Sequence, residues 1–170
     1  MMKKLLGWTL AFALLLSLTA VSAEEAEQAV LTADAGLPEE EYREFTEAGM
    51  KMWLPASLKS VALTAEDREK GYIAYFASED GQQAVAVMCI GVGKLMREDY
   101  RALVEKEGID IRDVTINGLP WLTYPIEQFD AVSYAYTDEA SLILEITLAP
   151  MSDADFAALA ETIISSVQPL

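Results

Sequence analysis

Short runs in which apolar and polar residues alternate recur in pairs along most of the chain, and this pattern is typical of β-hairpins. Short segments rich in glycine, asparagine and acidic residues join the runs and favour tight turns. The clearest turn is Asn117-Gly118, because both residues tolerate the positive φ angles of a type I′ turn. The sequence therefore predicts four hairpins, with strands at 42–46 and 50–54, 72–77 and 84–91, 111–116 and 119–126, and 132–136 and 141–148.

The strand at 119–126 contains two prolines, Pro120 and Pro125. Proline has no backbone N–H group and therefore cannot donate a hydrogen bond to a neighbouring strand. We therefore expect this strand to lie at an edge of its sheet or to be bulged.

Two helices are predicted between the hairpins. A capping box formed by Thr64 and Asp67 predicts a short helical turn over 64–70. Apolar residues spaced three and four apart predict a longer amphipathic helix over 96–107, which Gly108 ends.

A third helix is predicted at the end of the chain, with Ser152 as its N-cap and Asp155 as the capping acid. Its apolar residues form one stripe, which comprises Phe156, Leu159, Ala160, Ile163, Ile164 and Val167. Consecutive strands joined by tight turns, together with these helices, predict an α+β domain with a mainly antiparallel sheet and helices packed on its faces.

Residues 1–23 have the pattern of a bacterial export signal. Lys3 and Lys4 precede an apolar run, and Val21 and Ala23 supply small residues at the −3 and −1 positions of a cleavage site. The apolar run is shorter than the ~20 residues that span a bilayer, which disfavours the alternative of a permanent anchor. The sequence predicts a secreted or extracytoplasmic protein, cleaved after Ala23, with no stable membrane insertion afterwards.

The segment that follows the signal, residues 24–41, is acidic and rich in small residues and lacks a strong period. This composition predicts a flexible leader. The remaining residues, 42–170, are predicted to form a single α+β domain.

The charge of the chain is strongly acidic. It has 28 acidic and 12 basic residues, for a formal net charge of −16, and no lysine or arginine follows Arg112. Such a charge repels phosphate backbones and anionic lipids, so nucleic acid is not an expected partner. It favours basic partners or divalent cations, or it serves solubility alone.

The residue types exclude several reaction classes. The chain has no histidine, which excludes Ser-His-Asp and Cys-His catalysis and imidazole metal sites. It has a single cysteine and neither a Gly-x-Ser-x-Gly nor a Ser-x-x-Lys motif. Lys94 follows Gly93 without the earlier glycine of a phosphate-binding loop. The sequence therefore assigns no catalytic residue, no metal site and no cofactor.

Carboxylates are the remaining candidates for catalysis. Among them, Glu145 is the one ionisable residue inside an apolar strand. Alternation places it on the same face as Ile143 and Thr147. A covered position there would require a hydrogen-bond partner, because glutamate is almost never fully buried unless it is paired. We therefore expect Glu145 to lie toward a margin of the sheet, in contact with water.

Several other residues are candidates for a site. Cys89 lies in an apolar strand, and we expect it to be buried and unreactive. Trp53 and Trp121 are expected to be core residues or, alternatively, platforms for a ligand. Asp153 and Asp155 belong to an incomplete calcium-loop pattern, and their place at the start of a helix is favoured by the helix dipole alone.

The order of the elements and a few segments between residues 42 and 168 are similar to those of a known group of proteins. The chain resembles small exported bacterial proteins of the PsbP/Mog1/DcrB-like fold. The resemblance implies an α/β/α sandwich around an antiparallel sheet and a non-enzymatic role, since the family is mostly non-enzymatic and its members are assembly factors, accessory subunits or proteins of unknown role. The matching segments are Met50-Lys51-Met52-Trp53-Leu54-Pro55, Tyr72-Ile73-Ala74-Tyr75-Phe76, Asn117-Gly118 and Ile163-Ile164-Ser165-Ser166-Val167.

The function expected from these observations is that of an exported, non-catalytic module that binds a protein or an envelope component. Two alternatives stay open, a carboxylate-dependent hydrolase of a cell-wall or other glycan and an acidic cation-binding protein. A hydrolase requires a cleft with two facing acids, so a structure bears on the choice.

The export signal leads to a first prediction. We expect the mature protein to begin at Glu24, because Ala23 and Val21 fit the cleavage pocket and acidic residues follow at once. The intact mass of material collected outside the cytoplasm tests this. A mass that retains residues 1–23 would contradict it.

Overall fold

The computed structural model describes residues 29–33, 36–91, 96–137 and 142–170. The predicted signal, the first residues of the predicted leader, the segment with Lys94 and the turn at 138–141 lie outside these residues. No helix in the described ranges has the length and apolarity to span a bilayer.

Eleven strands and three α-helices occur in the described residues. The helices are α1 (Ala65–Glu69), α2 (Arg97–Lys106) and α3 (Ala154–Ser165), and short 3₁₀ turns lie at Glu39–Glu41, Thr46–Ala48 and Glu127–Phe129. The strands are β1 (Ala29–Leu31), β2 (Tyr42–Phe45), β3 (Met50–Trp53), β4 (Lys59–Ser60), β5 (Tyr72–Ala77), β6 (Ala84–Gly91), β7 (Arg112–Ile116), β8 (Leu119–Ile126), β9 (Ala131–Thr137), β10 (Leu142–Ala149) and β11 (Gln168–Pro169).

Eight of these strands form the main sheet, in the order β1-β7-β8-β9-β10-β6-β5-β4, and β11, β3 and β2 form a small second sheet. All strand pairs are antiparallel except β1 with β7. The four predicted hairpins are present as β2–β3, β5–β6, β7–β8 and β9–β10. The prediction of an α+β fold with a mainly antiparallel sheet is confirmed.

The prediction that residues 24–41 form a flexible leader is wrong for two parts of that segment. Ala29–Leu31 form β1, which pairs in parallel with β7 from Ala29 opposite Val114. Glu41 is also attached to the domain, because its carboxylate accepts a hydrogen bond from Trp53 Nε1 at 2.9 Å. The pairing of β1 with β7 connects residues far apart in the chain, which composition alone does not reveal.

The prediction that residues 119–126 form an edge or bulged strand is also wrong, because β8 lies between β7 and β9 and pairs with both without a shift in register. The register explains how an interior strand accommodates two prolines. β9 pairs with β8 only from Leu122 onward, so Pro120 has no partner on β9. β7 pairs with β8 only as far as Thr123, so Pro125 has no partner on β7. Each proline therefore has a partner strand on one side only, where a missing N–H group is tolerated.

The main sheet is covered on both faces. Along β8, Trp121 belongs to the larger core and the next residue, Leu122, belongs to a smaller one on the opposite face. The larger core is formed with α3 and the small sheet, and the smaller one is formed with α2 through Tyr100 and Val104. This arrangement is the α/β/α sandwich that the resemblance implies.

The last helix differs in detail from its prediction. Its N-cap is Asp153 rather than Ser152, because the Asp153 carboxylate accepts hydrogen bonds from the amides of Asp155 and Phe156. Ser152 instead donates its backbone N–H to the side chain of Asp130, at 3.0 Å. The apolar stripe packs as predicted, with Phe156, Ala160, Ile163, Ile164 and Val167 buried.

Asn117 joins three parts of the fold. It occupies the predicted turn with φ at 46°, followed by Gly118 at 81°. Its Oδ1 atom accepts from the amide of Ala33, and its Nδ2 atom donates to the carbonyls of Ser165 and Val167, both at 2.7 Å. The turn therefore connects the segment after β1 with the end of α3.

We expect Ile163→Ala to lower the free energy of unfolding by about 2–5 kcal/mol, because Ile163 is fully buried and its truncation leaves a cavity. Thr162→Ala is the matched control on the same helix, since Thr162 is partly exposed and bonds only to the preceding turn. Thermal melts measure both. Equal effects would mean that α3 is not packed against the sheet.

We expect Asn117→Gly to lower the free energy of unfolding by about 1–3 kcal/mol, because glycine keeps the turn geometry but leaves the polar groups around it without their partner. Asn117→Asp is the companion variant, since it keeps the acceptor and loses both donors. Denaturant titration measures the change. A glycine variant as stable as the parent would show that Asn117 serves the turn alone.

Candidate functional site

Glu145 lies in the middle of the main sheet, so the prediction of a marginal position is wrong. Its strand, β10, lies between β9 and β6, and Glu145 stands opposite Ala135 on one side and Met88 on the other. The side chain is partly buried. It lies on the face covered by α2, where a carboxylate requires polar partners.

Two tyrosines supply those partners. Tyr124 lies on β8, on the same face of the sheet, and donates its hydroxyl proton to Glu145 Oε1 at 2.7 Å. Tyr100, on α2, lies with its hydroxyl 3.2 Å from Glu145 Oε2 and 2.7 Å from the Tyr124 hydroxyl. Both carboxylate oxygens are thus engaged, and the three side chains form a closed polar cluster between the helix and the sheet.

The electrostatics of this cluster keep the tyrosines protonated. Burial, and then the negative charge of Glu145, raise the pKa of Tyr100 well above its usual value. The same two causes, in the same order, raise the pKa of Tyr124 further. Each phenol is therefore a neutral hydrogen-bond donor at any physiological pH and cannot serve as a base.

Two arginines tie the same helix to the sheet beside the cluster. Arg97 and Arg101 lie one turn apart on α2, and both contact Asp113 Oδ1 on β7. Arg97 also donates to the carbonyl of Trp121 at 3.3 Å. Burial raises the pKa of Asp113, but the hydrogen bonds and charges of the two arginines outweigh it, and its pKa lies below the usual value.

These contacts give the cluster a positioning role for α2. Glu145 is bonded to two phenols that neither ionise nor accept protons readily. Within the described ranges, no group of three or more Cys, Asp and Glu side chains is arranged to hold a metal ion. α2 has no fully buried residue, and these polar bonds help to hold it against the sheet.

The two tryptophans lie in the core. Trp53 is almost fully buried and its indole N–H is bonded to Glu41, while Trp121 is fully buried with its ring 5.3 Å from that of Tyr136. Neither ring is presented at the surface, which favours packing over a ligand platform. The Trp121 Nε1 atom is buried without a hydrogen-bond partner among the described residues.

The expectation that Cys89 is buried is wrong. Its side chain is partly exposed, and its Sγ atom lies 3.7 Å from the carbonyl oxygen of Glu47. Cys89 is close to the end of β6, where the strand passes beyond the best-packed part of the core.

Asp153 caps α3 and Asp155 is exposed in its first turn, so the two acids are placed as the helix requires.

Three grooves of comparable size open at the surface. One of about 420 Å³ lies beside α1 and β5, and one of about 510 Å³ lies between α3 and β1. The third, of about 520 Å³, lies at the carboxyl end of α2 and is lined by residues 107–110 and 125–128. We call this third groove the acidic groove, because Glu107, Asp110 and Glu127 lie on it.

Comparison with known proteins adds one finding. No protein-family model matches the sequence, and no similar curated protein is found. Among solved structures, the solution structure of cyanobacterial PsbP (CyanoP) from Synechocystis sp. PCC 6803 is similar, with a TM-score of 0.56 and 12% identity over 82% of this chain and 99% of that one. The chain has a PsbP-like fold. This confirms the resemblance inferred from the sequence, and at this identity it shows the fold alone.

Within this PsbP-like fold, sequence patterns alone missed Tyr100 and Tyr124 as partners of Glu145. Tyr100 was part of the predicted helix and Tyr124 part of a predicted strand, but no local spacing relates them. The available signal was physical, since a glutamate inside an apolar strand requires donors from elsewhere. Phe129, in the 3₁₀ turn beside the acidic groove, was also missed and is 67% exposed.

We expect stability to fall as the pH rises past about 10, where tyrosines of the unfolded chain ionise while Tyr100 and Tyr124 stay protonated in the fold. Because the pKa values of Tyr100 and Tyr124 are raised in the folded state, these two groups favour folding below about pH 10. Their contribution to stability is lost as the pH rises above it. Absorbance titration should show Tyr100 and Tyr124 ionising only with unfolding. Smooth titration of all 7 tyrosines without unfolding would contradict this.

Proposed function

We propose that this chain is an exported, non-catalytic module that binds a protein or an envelope component. The export part rests on the pattern of residues 1–23, with a charged start, an apolar run and small residues before Glu24. The PsbP-like fold supports the binding part by analogy, since the family that the sequence resembles consists mostly of assembly factors and accessory subunits.

The observation that carries the non-catalytic part is the state of Glu145. A glycosidase requires one carboxyl group that gives up a proton and a second that attacks or activates water across the sugar. Glu145 is a carboxylate on the covered face, and its oxygens accept hydrogen bonds from Tyr124 and Tyr100. The two phenols are held neutral and add no acid or base.

The experiment follows the chain in a bacterial host, with an antibody for detection. Cells carrying the full chain are treated with a membrane-impermeant cross-linker, and a variant lacking residues 1–23 serves as the control for export. We expect the full chain outside the cytoplasm, in a cross-linked complex of defined size with one envelope component. Full-chain protein that stays in the cytoplasm would contradict export.

The non-catalytic part has its own test. Purified mature protein is incubated with cell-wall glycan, and reducing ends are counted for the parent and for Glu145→Gln. We expect neither protein to release sugar above the background. Release by the parent that is lost in Glu145→Gln would overturn the proposal in favour of a carboxylate-dependent hydrolase.

A further inference from the structure

The acidic groove arises from a mismatch in strand length. β7 begins at Arg112, opposite Thr123, so the last residues of β8 have a neighbouring strand only on the β9 side. The chain between α2 and β7 stands away from β8 at this level, and the space between them is the groove of about 520 Å³. Ile109, Pro125 and Ile126 give it an apolar wall.

The charges around this groove are mostly negative. Glu107 and Glu127 line it from its two segments and are both exposed, and neither makes an ion pair with a described residue. Asp110 is paired with Arg112 at 2.6 Å, so this pair adds little net charge. Lys106 ends α2 just before the groove, and the carboxyl end of the helix adds partial negative charge of its own.

An exposed aromatic residue follows the groove residues in the chain. Phe129 follows the groove residues directly in the 3₁₀ turn Glu127–Phe129 and is 67% exposed. A phenyl ring at the surface is a favourable contact for an arginine side chain, which stacks on aromatic faces while it pairs with carboxylates. Apolar wall, unpaired carboxylates and exposed ring together match one kind of ligand.

We propose that the acidic groove docks an extended segment of a partner protein that carries arginine beside apolar residues. The arginine would lie between Glu107 and Glu127, and its apolar neighbours would cover Ile109, Ile126 and Phe129. This inference rests on the proposed function, because it names the chemistry of the partner that a binding module would take. A divalent cation uses the carboxylates alone and has no need of the apolar wall or the ring.

The test uses a fluorescein-labelled nine-residue peptide in which arginine alternates with leucine and serine, and a second peptide with glutamine in place of each arginine. Anisotropy titrations with the mature protein give the affinities at physiological salt. We expect the arginine peptide to bind and the glutamine peptide to bind about tenfold more weakly or not at all. Equal binding of the two, or binding of neither, would overturn the proposal.

Matched variants locate the binding. Glu107→Gln with Glu127→Gln removes two charges at the groove, and Glu39→Gln with Glu40→Gln removes two charges from exposed acids elsewhere. We expect about tenfold weaker binding for the groove pair and less than a twofold change for the control pair. Phe129→Ala should also weaken binding severalfold, because it removes the exposed ring.

Other outcomes separate this inference from the proposed function. Equal weakening by both double variants would mean attraction by net charge alone and would overturn the groove assignment. Loss of peptide binding on addition of millimolar calcium, with no effect of Phe129→Ala, would assign the groove to a cation instead. If the groove double variant still forms the cross-linked envelope complex in cells, the proposed function stands and the groove is not its docking site.

Discussion

Burial of the eight-stranded sheet on both faces is the constraint on which the rest of this structure depends. On one face the cover is α3, whose Phe156, Ile163 and Ile164 are completely excluded from solvent. On the other face α2 contributes no fully buried residue and is held by Tyr100 and by the arginine contacts to Asp113. Hydrophobic packing therefore fixes one layer, and directional polar bonds add to the packing of Tyr100 and Val104 in the other.

This difference gives Glu145 its role. A carboxylate in the middle of a sheet costs free energy unless donors reach it, and here the donors come from the helix and from β8. Because Tyr100 lies on α2, displacing that helix would leave Glu145 with Tyr124 as its single phenol donor. Glu145 therefore helps to set the position of a helix.

Much of the fold was predictable because its signals are local. Alternation and turn residues identified the hairpins, and Asn117-Gly118 and the Thr64 cap were recognised from neighbouring residues. What was missed depends on contacts between distant segments. The three residues of β1 are too few to form a pattern that predicts a parallel partner. The two prolines of β8 are tolerated only because β7 and β9 pair with different parts of that strand. The acidic groove has the same origin, since it exists where β7 is shorter than β8.

The side chain of Asn117 also constrains when the domain can close. Its two carbonyl acceptors, on Ser165 and Val167, lie 48 and 50 residues further along the chain, and β11, which completes the small sheet, follows them. A chain that crosses a membrane amino end first would present β1 and the Asn117 turn long before those acceptors arrive. In such a chain the hydrogen bonds of Asn117 to Ser165 and Val167 form only after those residues have followed the turn across.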